Sequence, residues 1–232
     1  MKNFILKVAI IFAVFSTQAW GLSKEVSKDR DFVRYCGQGG SYGSYDEIIL
    51  TANVTLTSDI TLKKNLKISS KAGKLYTINV ANARQITIEP GYKLTLENVV
   101  FDGQNYSRRN EGLFYLNPCT DTNKIARLEM LSGAVIKNIY VMTDASADHA
   151  PIHIQKGGRF IMNDGAEILD CYNDSYHGNG GAICCDYGNV IINGGTISGC
   201  KAKGSGGAIR VTGARNAAED HLGVAMRGDI FL

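Results

Sequence analysis

The side chains in this chain with the clearest chemical potential are carboxylates interspersed with bases, most of them in the second half. Asp164, Asp170, Asp174 and Asp186, with Asp102 upstream, alternate with Arg159, His177 and Arg210. A carboxylate held beside a histidine or arginine is a general acid–base arrangement. Asp170 and Asp186 are candidates for one surface, with His177 between them in Tyr176-His-Gly-Asn-Gly180. Asp170, Asp186, Arg210 and His177 are therefore the catalytic candidates, and they are weak ones. An aspartate at a glycine-rich corner is accounted for by turn capping alone, and a histidine among glycines suits a solvated loop. Six cysteines add a second kind of chemistry. No C-x-x-C pair occurs, so their spacing matches no zinc pattern, and no metal or other cofactor is expected. Sequons at Asn53, Asn105 and Asn173 are no more than an Asn-, Ser- and Thr-rich chain produces by chance.

These residues must be positioned by a repeat. Phe160-Ile-Met-Asn163 and Val190-Ile-Ile-Asn193 alternate with Gly180-Gly-Ala-Ile183 and Gly206-Gly-Ala-Ile209. The spacings are 193 − 163 = 30 and 209 − 183 = 26 residues. Repeats of that period mark solenoids, propellers or arrays. Four-residue apolar runs broken by glycine are too short for helices, and their β-branched content points to strands and turns. One unit with several such strands matches one coil of a parallel β-helix. Its inward Ile and Val are buried only when coils stack. Glycine supplies positive φ at the corners, and stacked asparagines form hydrogen-bonded ladders. Asp164–Cys171 aligns with Gly194–Cys200 with one residue inserted, so Cys171 and Cys200 fall on neighbouring coils. They are expected as a cysteine stack, with a disulfide as the other arrangement open to them. Cys184 and Cys185 are adjacent in a strand and must point to opposite faces. Cys171, Cys184 and Cys200 suit small inward-facing hydrophobes; Cys36 stands alone in its region.

The structural-repeat residues Phe160, Asn163, Gly180, Gly181, Ala182, Ile183, Asn193, Gly206, Gly207, Ala208 and Ile209 carry a resemblance. Paired Gly-Gly-Ala-[Ile/Leu/Val] and Phe-x-x-Asn blocks resemble the repeats of the polymorphic outer-membrane-protein family of autotransported adhesins, with Val190 in place of Phe in the second block. More broadly, the chain resembles right-handed parallel β-helix proteins of the pectin-lyase-like type. The first resemblance implies an exported adhesin displayed at the cell surface or outer membrane. The second implies that an enzyme must be weighed. Uronate lyases of this shape use Ca²⁺ held by several carboxylates plus a basic residue, which draws in Asp102, Asp164, Asp174 and Arg159. The clustered aspartates, N-T-D-type and G-H-G-type runs of galacturonan hydrolases are missing, and Asp148-His149 is only a bare lyase-like dipeptide.

The remaining chain fits this frame. Residues 1–21 form an expected signal peptide: Lys2 and Lys7, an apolar core at 8–15 too short to span a bilayer, and a small-x-small site at Ala19-Trp-Gly21. A membrane anchor is the other reading of that segment. Its removal takes two Lys and no acid, so the formal charge falls from +3 to 3 − 2 = +1, which argues against a nucleic-acid partner. Twenty-six Gly against three Pro suit many tight corners. Residues 22–53 are polar and expected to form an N-terminal cap, with a short helix or strand at 46–50. From Val54 short alternating runs are continuous, as in Val54-Thr-Leu56, Ile60-Thr-Leu62, Ile86-Thr-Ile88 and Leu94-Thr-Leu96. Leu128-Glu-Met130 with residues 132–138 is a looser copy of the repeat, and residues 113–116 and 152–154 are earlier partners of Ile183 and Ile209. Loops are expected at 117–124, 143–150 and 172–180, and residues 214–232 form a tail, a helical cap or a truncated end.

The expected fold is all-β: a single-stranded right-handed parallel β-helix of about five coils over residues 54–213. The expected function is a secreted or cell-surface, non-catalytic, adhesin-like protein binding an extended extracellular glycan or protein. Its only expected membrane association is through the signal or export. The alternative is a polysaccharide lyase or glycoside hydrolase, and Ca²⁺ belongs only to that alternative.

Overall fold

The computed structural model describes residues 21–37, 44–80, 84–105, 107–109, 112–121, 123–142, 150–213, 223–226 and 229–230. Short apolar runs separated by Gly, Asn and Asp become strands of two to five residues, and the strands pair in parallel into four sheets. Sheet A contains β1 (Ser23–Val26), β2 (Glu47–Leu50), β5 (Leu66–Ser70), β8 (Lys93–Glu97), β12 (Arg127–Met130), β16 (Arg159–Met162), β20 (Asn189–Ile192) and β24 (Gly223–Met226). Sheet B contains β3 (Val54–Thr55), β6 (Tyr76–Asn79), β9 (Val99–Asp102), β13 (Ala134–Lys137), β17 (Glu167–Leu169), β21 (Thr196–Ser198) and β25 (Asp229–Ile230). Sheet C contains β4 (Ile60–Leu62), β7 (Ile86–Ile88), β11 (Phe114–Leu116), β15 (Ile152–Ile154), β19 (Ile183–Asp186) and β23 (Ile209–Thr212). Sheet D is shorter: β10 (Ser107–Arg109), β14 (Tyr140–Met142), β18 (Tyr172–Asn173) and β22 (Lys201–Ala202).

From β2 the chain visits these sheets in a fixed order, A–B–C at first and A–B–D–C from β8 onward. That order, with every pairing parallel, is consistent with a parallel β-helix. Leu66, Leu94, Leu128, Phe160 and Val190 are successive partners in sheet A. Their separations are 28, 34, 32 and 30 residues, so the loops absorb differences in length while the strands keep register.

Register decides which residues are buried, because side chains alternate between faces. In sheet C, Ile60, Ile86, Phe114, Ile152 and Ile183 form one inward row, each at most 2 % exposed. Ile78, Phe101, Ile136, Ile168 and Ile197 form the corresponding row in sheet B. Burying one such side chain contributes about 1.5–3 kcal/mol, so stability is spread evenly along the stack. The repeat alignment holds residue by residue: Phe160 pairs with Val190, Ile168 with Ile197 and Ile183 with Ile209. The Asn193 side-chain amide donates to Asn163 Oδ1 at 2.9 Å, the expected ladder. Gly180 and Gly206 both have positive φ, +72° and +82°. A Cβ on Gly181 would sit 2.3 Å from the Gly207 carbonyl oxygen, so the second glycine of the first block has no space for a side chain.

The N-terminal segment is more regular than a polar cap suggests. β1 and β2 pair in parallel and extend sheet A before Val54. Helix α1 (Asp29–Cys36) lies between them and packs on β1, β2, β3 and β4, the first strands of three sheets. Phe32 and Cys36 are its buried face, and burial pushes the Cys36 thiol up to about 12, against the opposing charge of Lys64. Asp29 Oδ1 accepts the Thr55 N–H at 2.8 Å, which ties the helix to sheet B. The polar composition of this segment belongs to the outer sides of its strands and helix. At the other end, β24 and β25 pair with β20 and β21, so sheets A and B continue past residue 213. Residues 214–222, 1–20 and 143–149 lie outside the described residues, and with them the helical-cap reading, nearly all of the signal segment and the Asp148-His149 dipeptide. Among the described residues no helix is long and apolar enough to cross a membrane.

Candidate functional site

The outward row of sheet C is where polar chemistry collects. Tyr115, His153, Cys184 and Arg210 are register partners on β11, β15, β19 and β23. Each follows an inward apolar residue, so strand alternation turns all four to the outer face. Gln155, just past the end of β15, and Asp186, the last residue of β19, lie two residues further along on the same side. His153 Nε2 lies 3.0 Å from Asp186 Oδ2, and Gln155 Nε2 lies 2.8 Å from the same imidazole nitrogen. Arg210 Nη1 is 3.8 Å from Asp186 Oδ1 and 3.9 Å from Cys184 Sγ. Cys184 Sγ is 3.9 Å from Asp186 Oδ2. Tyr115 meets the His153 ring edge-on, with centroids 5.4 Å apart.

These groups are outward-facing yet buried: His153 is 4 % exposed and Cys184 0 %. The hydrogen bond with His153 holds Asp186 below the usual carboxylate range; the charges of His153 and Arg210 help, and burial opposes them. A substrate nucleophile must be reachable, which the Cys184 thiol is not. Its neighbours make it one donor atom in a compact set: the ligand-type atoms of His153, Cys184 and Asp186 all lie within 4.8 Å of one another.

The structure brings together two of the four catalytic candidates, Asp186 and Arg210. Asp170 is a corner residue at φ +51°, exposed, between β17 and β18. His177 is exposed after β18, which takes up the first two residues of the expected 172–180 loop, and lies edge-on to Tyr176 at 4.6 Å. Asp170 and Asp186 therefore do not share a surface: one follows sheet B and the other is in sheet C. Asp102 belongs to sheet B, bonded to the Asn138 amide at 3.0 Å and paired with Lys137 at 3.4 Å. Asp174 accepts hydrogen bonds from Tyr140 and Tyr172, whose rings stack 5.2 Å apart, and pairs with Lys203 at 3.5 Å. Asp164 is exposed in the turn after β16, and Arg159 is the sheet A partner of Arg127.

One cysteine expectation is corrected. Cys184 does not face the core; Cys185 does, as partner of Ile154 and Val211, because β19 begins with an inward Ile183. Among the described residues none of the six cysteines is in a disulfide. Cys171 and Cys200 form a buried hydrogen-bonded stack, and burial drives the Cys171 thiol well above its usual range. Asn173 is 0 % exposed, so that sequon is out of reach once the chain has folded.

Sequence reasoning did not single out His153 and Cys184 as site residues. Their signal was the middle position of Phe114-Tyr-Leu116, Ile152-His-Ile154, Ile183-Cys-Cys185 and Ile209-Arg-Val211. Reading that column downward would have assembled the cluster. A scan against protein-family models, a search of curated proteins and a search of solved structures found no match to this chain.

Proposed function

We propose that this chain is a right-handed, single-stranded parallel β-helix of about five coils over residues 54–213. In this reading it acts as a secreted or surface-displayed, non-catalytic, adhesin-like protein. The likeness of its Gly-Gly-Ala-Ile and Phe-x-x-Asn blocks to polymorphic outer-membrane-protein adhesins, and of the fold to the pectin-lyase-like type, belongs to the same reading. The partner is an extended glycan or protein lying along one flank, and residues 1–21 direct export.

The dispersal of the carboxylates carries the proposal. Glycoside hydrolysis uses two carboxyl groups facing one bond across roughly 5–9.5 Å, and Ca²⁺-dependent elimination gathers several around one ion. Here Asp102, Asp174 and Asp186 belong to sheets or loops on B, D and C, and each has its own cation: Lys137, Lys203 and Arg210. What the fold repeats instead is rows of outward side chains on rigid strands, suited to many weak contacts along an extended partner. In this reading the segments expected as loops at 117–124, 143–150 and 172–180 set partner choice.

The test is to incubate the protein lacking residues 1–21 with polygalacturonate, alginate and neutral glycans, with and without Ca²⁺. Binding without new reducing ends or ultraviolet-absorbing unsaturated products is the expected result. Cleavage that is lost in Asp186→Asn or Arg210→Gln would overturn the proposal in favour of a lyase or hydrolase.

A further inference from the structure

We propose that His153, Cys184 and Asp186 form a Zn²⁺ site bridging two adjacent rungs of sheet C. The donors are an imidazole nitrogen, a thiolate sulfur and a carboxylate oxygen, a mixed set that suits zinc and disfavours the all-oxygen preference of Ca²⁺ or Mg²⁺. His153 lies 184 − 153 = 31 residues before Cys184 in sequence. His153 and Cys184 are brought side by side only by the parallel register of β15 and β19, and Asp186 joins them by strand alternation.

The spacing is near what the ion requires. Bonds of about 2.0–2.3 Å at a tetrahedral angle place neighbouring donor atoms about 3.3–3.6 Å apart. His153 Nε2 to Asp186 Oδ2 is 3.0 Å and Cys184 Sγ to Asp186 Oδ2 is 3.9 Å, with all three donors within 4.8 Å. The first distance is shorter and the second longer than that range, and Gln155 Nε2, 2.8 Å from the same imidazole nitrogen, must move aside for the ion. Three protein ligands leave a fourth position for a water molecule.

Burial groups the donors, and the nearby charge must rearrange for an ion to bind. A thiol at 0 % and an imidazole at 4 % exposure on the outer face of a sheet are removed from water together. Arg210 holds a positive charge near both Cys184 and Asp186; it favours the thiolate and carboxylate forms but opposes a second cation, so it must be displaced when the ion binds. On binding, the Cys184 proton leaves to solvent and the Zn–S bond forms; no electron is transferred. The ion then ties β15 to β19, and its binding energy adds to the stability of the folded chain.

The experiment uses the whole chain without residues 1–21, stripped of metal and reduced, titrated with Zn²⁺ against a chromophoric chelator and separately with Co²⁺. One equivalent of each ion is expected. The Co²⁺ form is expected to show a near-ultraviolet thiolate-to-cobalt band, and Zn²⁺ is expected to raise Tm. Cys184→Ser should abolish the band, His153→Gln and Asp186→Asn should weaken Zn²⁺ by at least roughly tenfold, and Cys119→Ser should leave both unchanged. A native chain without the band at saturating Co²⁺ overturns the proposal, whatever the folding of the variants. So does a band that survives Cys184→Ser or disappears in Cys119→Ser.

Discussion

Asn138, Asp170 and Gly199 occupy the same left-handed corner on successive rungs, at φ +55°, +51° and +66°. A β-carbon in that region costs about 1–2 kcal/mol, least for Asn and Asp, whose short side chains bond locally. Gly199→Ala is therefore expected to lower stability by about 1–2 kcal/mol in urea unfolding; its new Cβ would lie 2.1 Å from Asp170 Oδ1, which must also move. Asp170→Gly should stay within about 0.5 kcal/mol, because relieved strain offsets the entropy that glycine adds to the unfolded chain. Equal losses in the two variants would refute the corner account of Asp170. Asn173 is a residue of another kind. Its buried amide donates to the carbonyls of Asn179 and Gly180 at 3.2 and 3.5 Å, and its oxygen accepts the Ser175 N–H at 3.2 Å. Asn173→Ala orphans those groups and is expected to cost about 2–3 kcal/mol, measured as a lower urea midpoint with unchanged slope.

At the level of the strand, each rung is held by the rungs above and below. Ile183 lies between Ile152 and Ile209 in sheet C. Ile183→Asp places an unpaired carboxylate in that row, and a cost of about 3–5 kcal/mol is expected. Ile209→Asp should cost less, because Ile209 is only partly buried. Thermal unfolding of the pair checks the ranking; a reversed order would contradict the inward stacking of β19 and β23. The Gly-Gly pairs that precede these strands are part of the same element. Gly180 turns the chain, and Gly181 lets β19 begin flush against the backbone of the next rung.

Across the whole molecule, paired carboxylates make the fold acid-sensitive. Asp102 is held below the usual carboxylate range: burial opposes this, but the Asn138 amide, the Gln104 N–H and Lys137 outweigh it. A depressed folded value stabilises the protein above the unfolded Asp value of about 3.9. That contribution is lost as pH falls through the folded value. Asp174, bonded to Tyr140, and Asp186, bonded to His153, act in the same direction. Stability is expected to be level near neutrality and to fall below pH of about 4. Asp102→Asn should be less stable at neutral pH and lose less on acidification, read from urea unfolding at the two pH values. A variant whose acid loss matches that of the native chain would rule out Asp102 as a contributor.

Between residues 54 and 213, the strands of sheets A, B and C and the register of the repeat were legible in the sequence; the short strands of sheet D were not, and β18 falls where a loop was expected at 172–180. The apolar positions of the sequence alternate with period two, and its blocks recur at intervals that the stacked rungs reproduce, so Phe160 over Val190, Ile183 over Ile209 and the Asn163–Asn193 ladder were legible from composition and spacing. Local rules suffice there, because each strand needs only an inward side chain and a corner residue able to adopt positive φ. The sequence did not determine that β1, α1 and β2 would build the first layers, since their apolar residues are too few to show a period. Nor did it reveal the His153–Cys184–Asp186 cluster with Arg210 beside it. Those residues are up to 210 − 153 = 57 positions apart, and only the parallel stacking of β15, β19 and β23 brings them together. Tertiary structure also decided which cysteine of the adjacent pair faces outward: β19 opens with Ile183 buried, and every following side chain takes its face from that one placement.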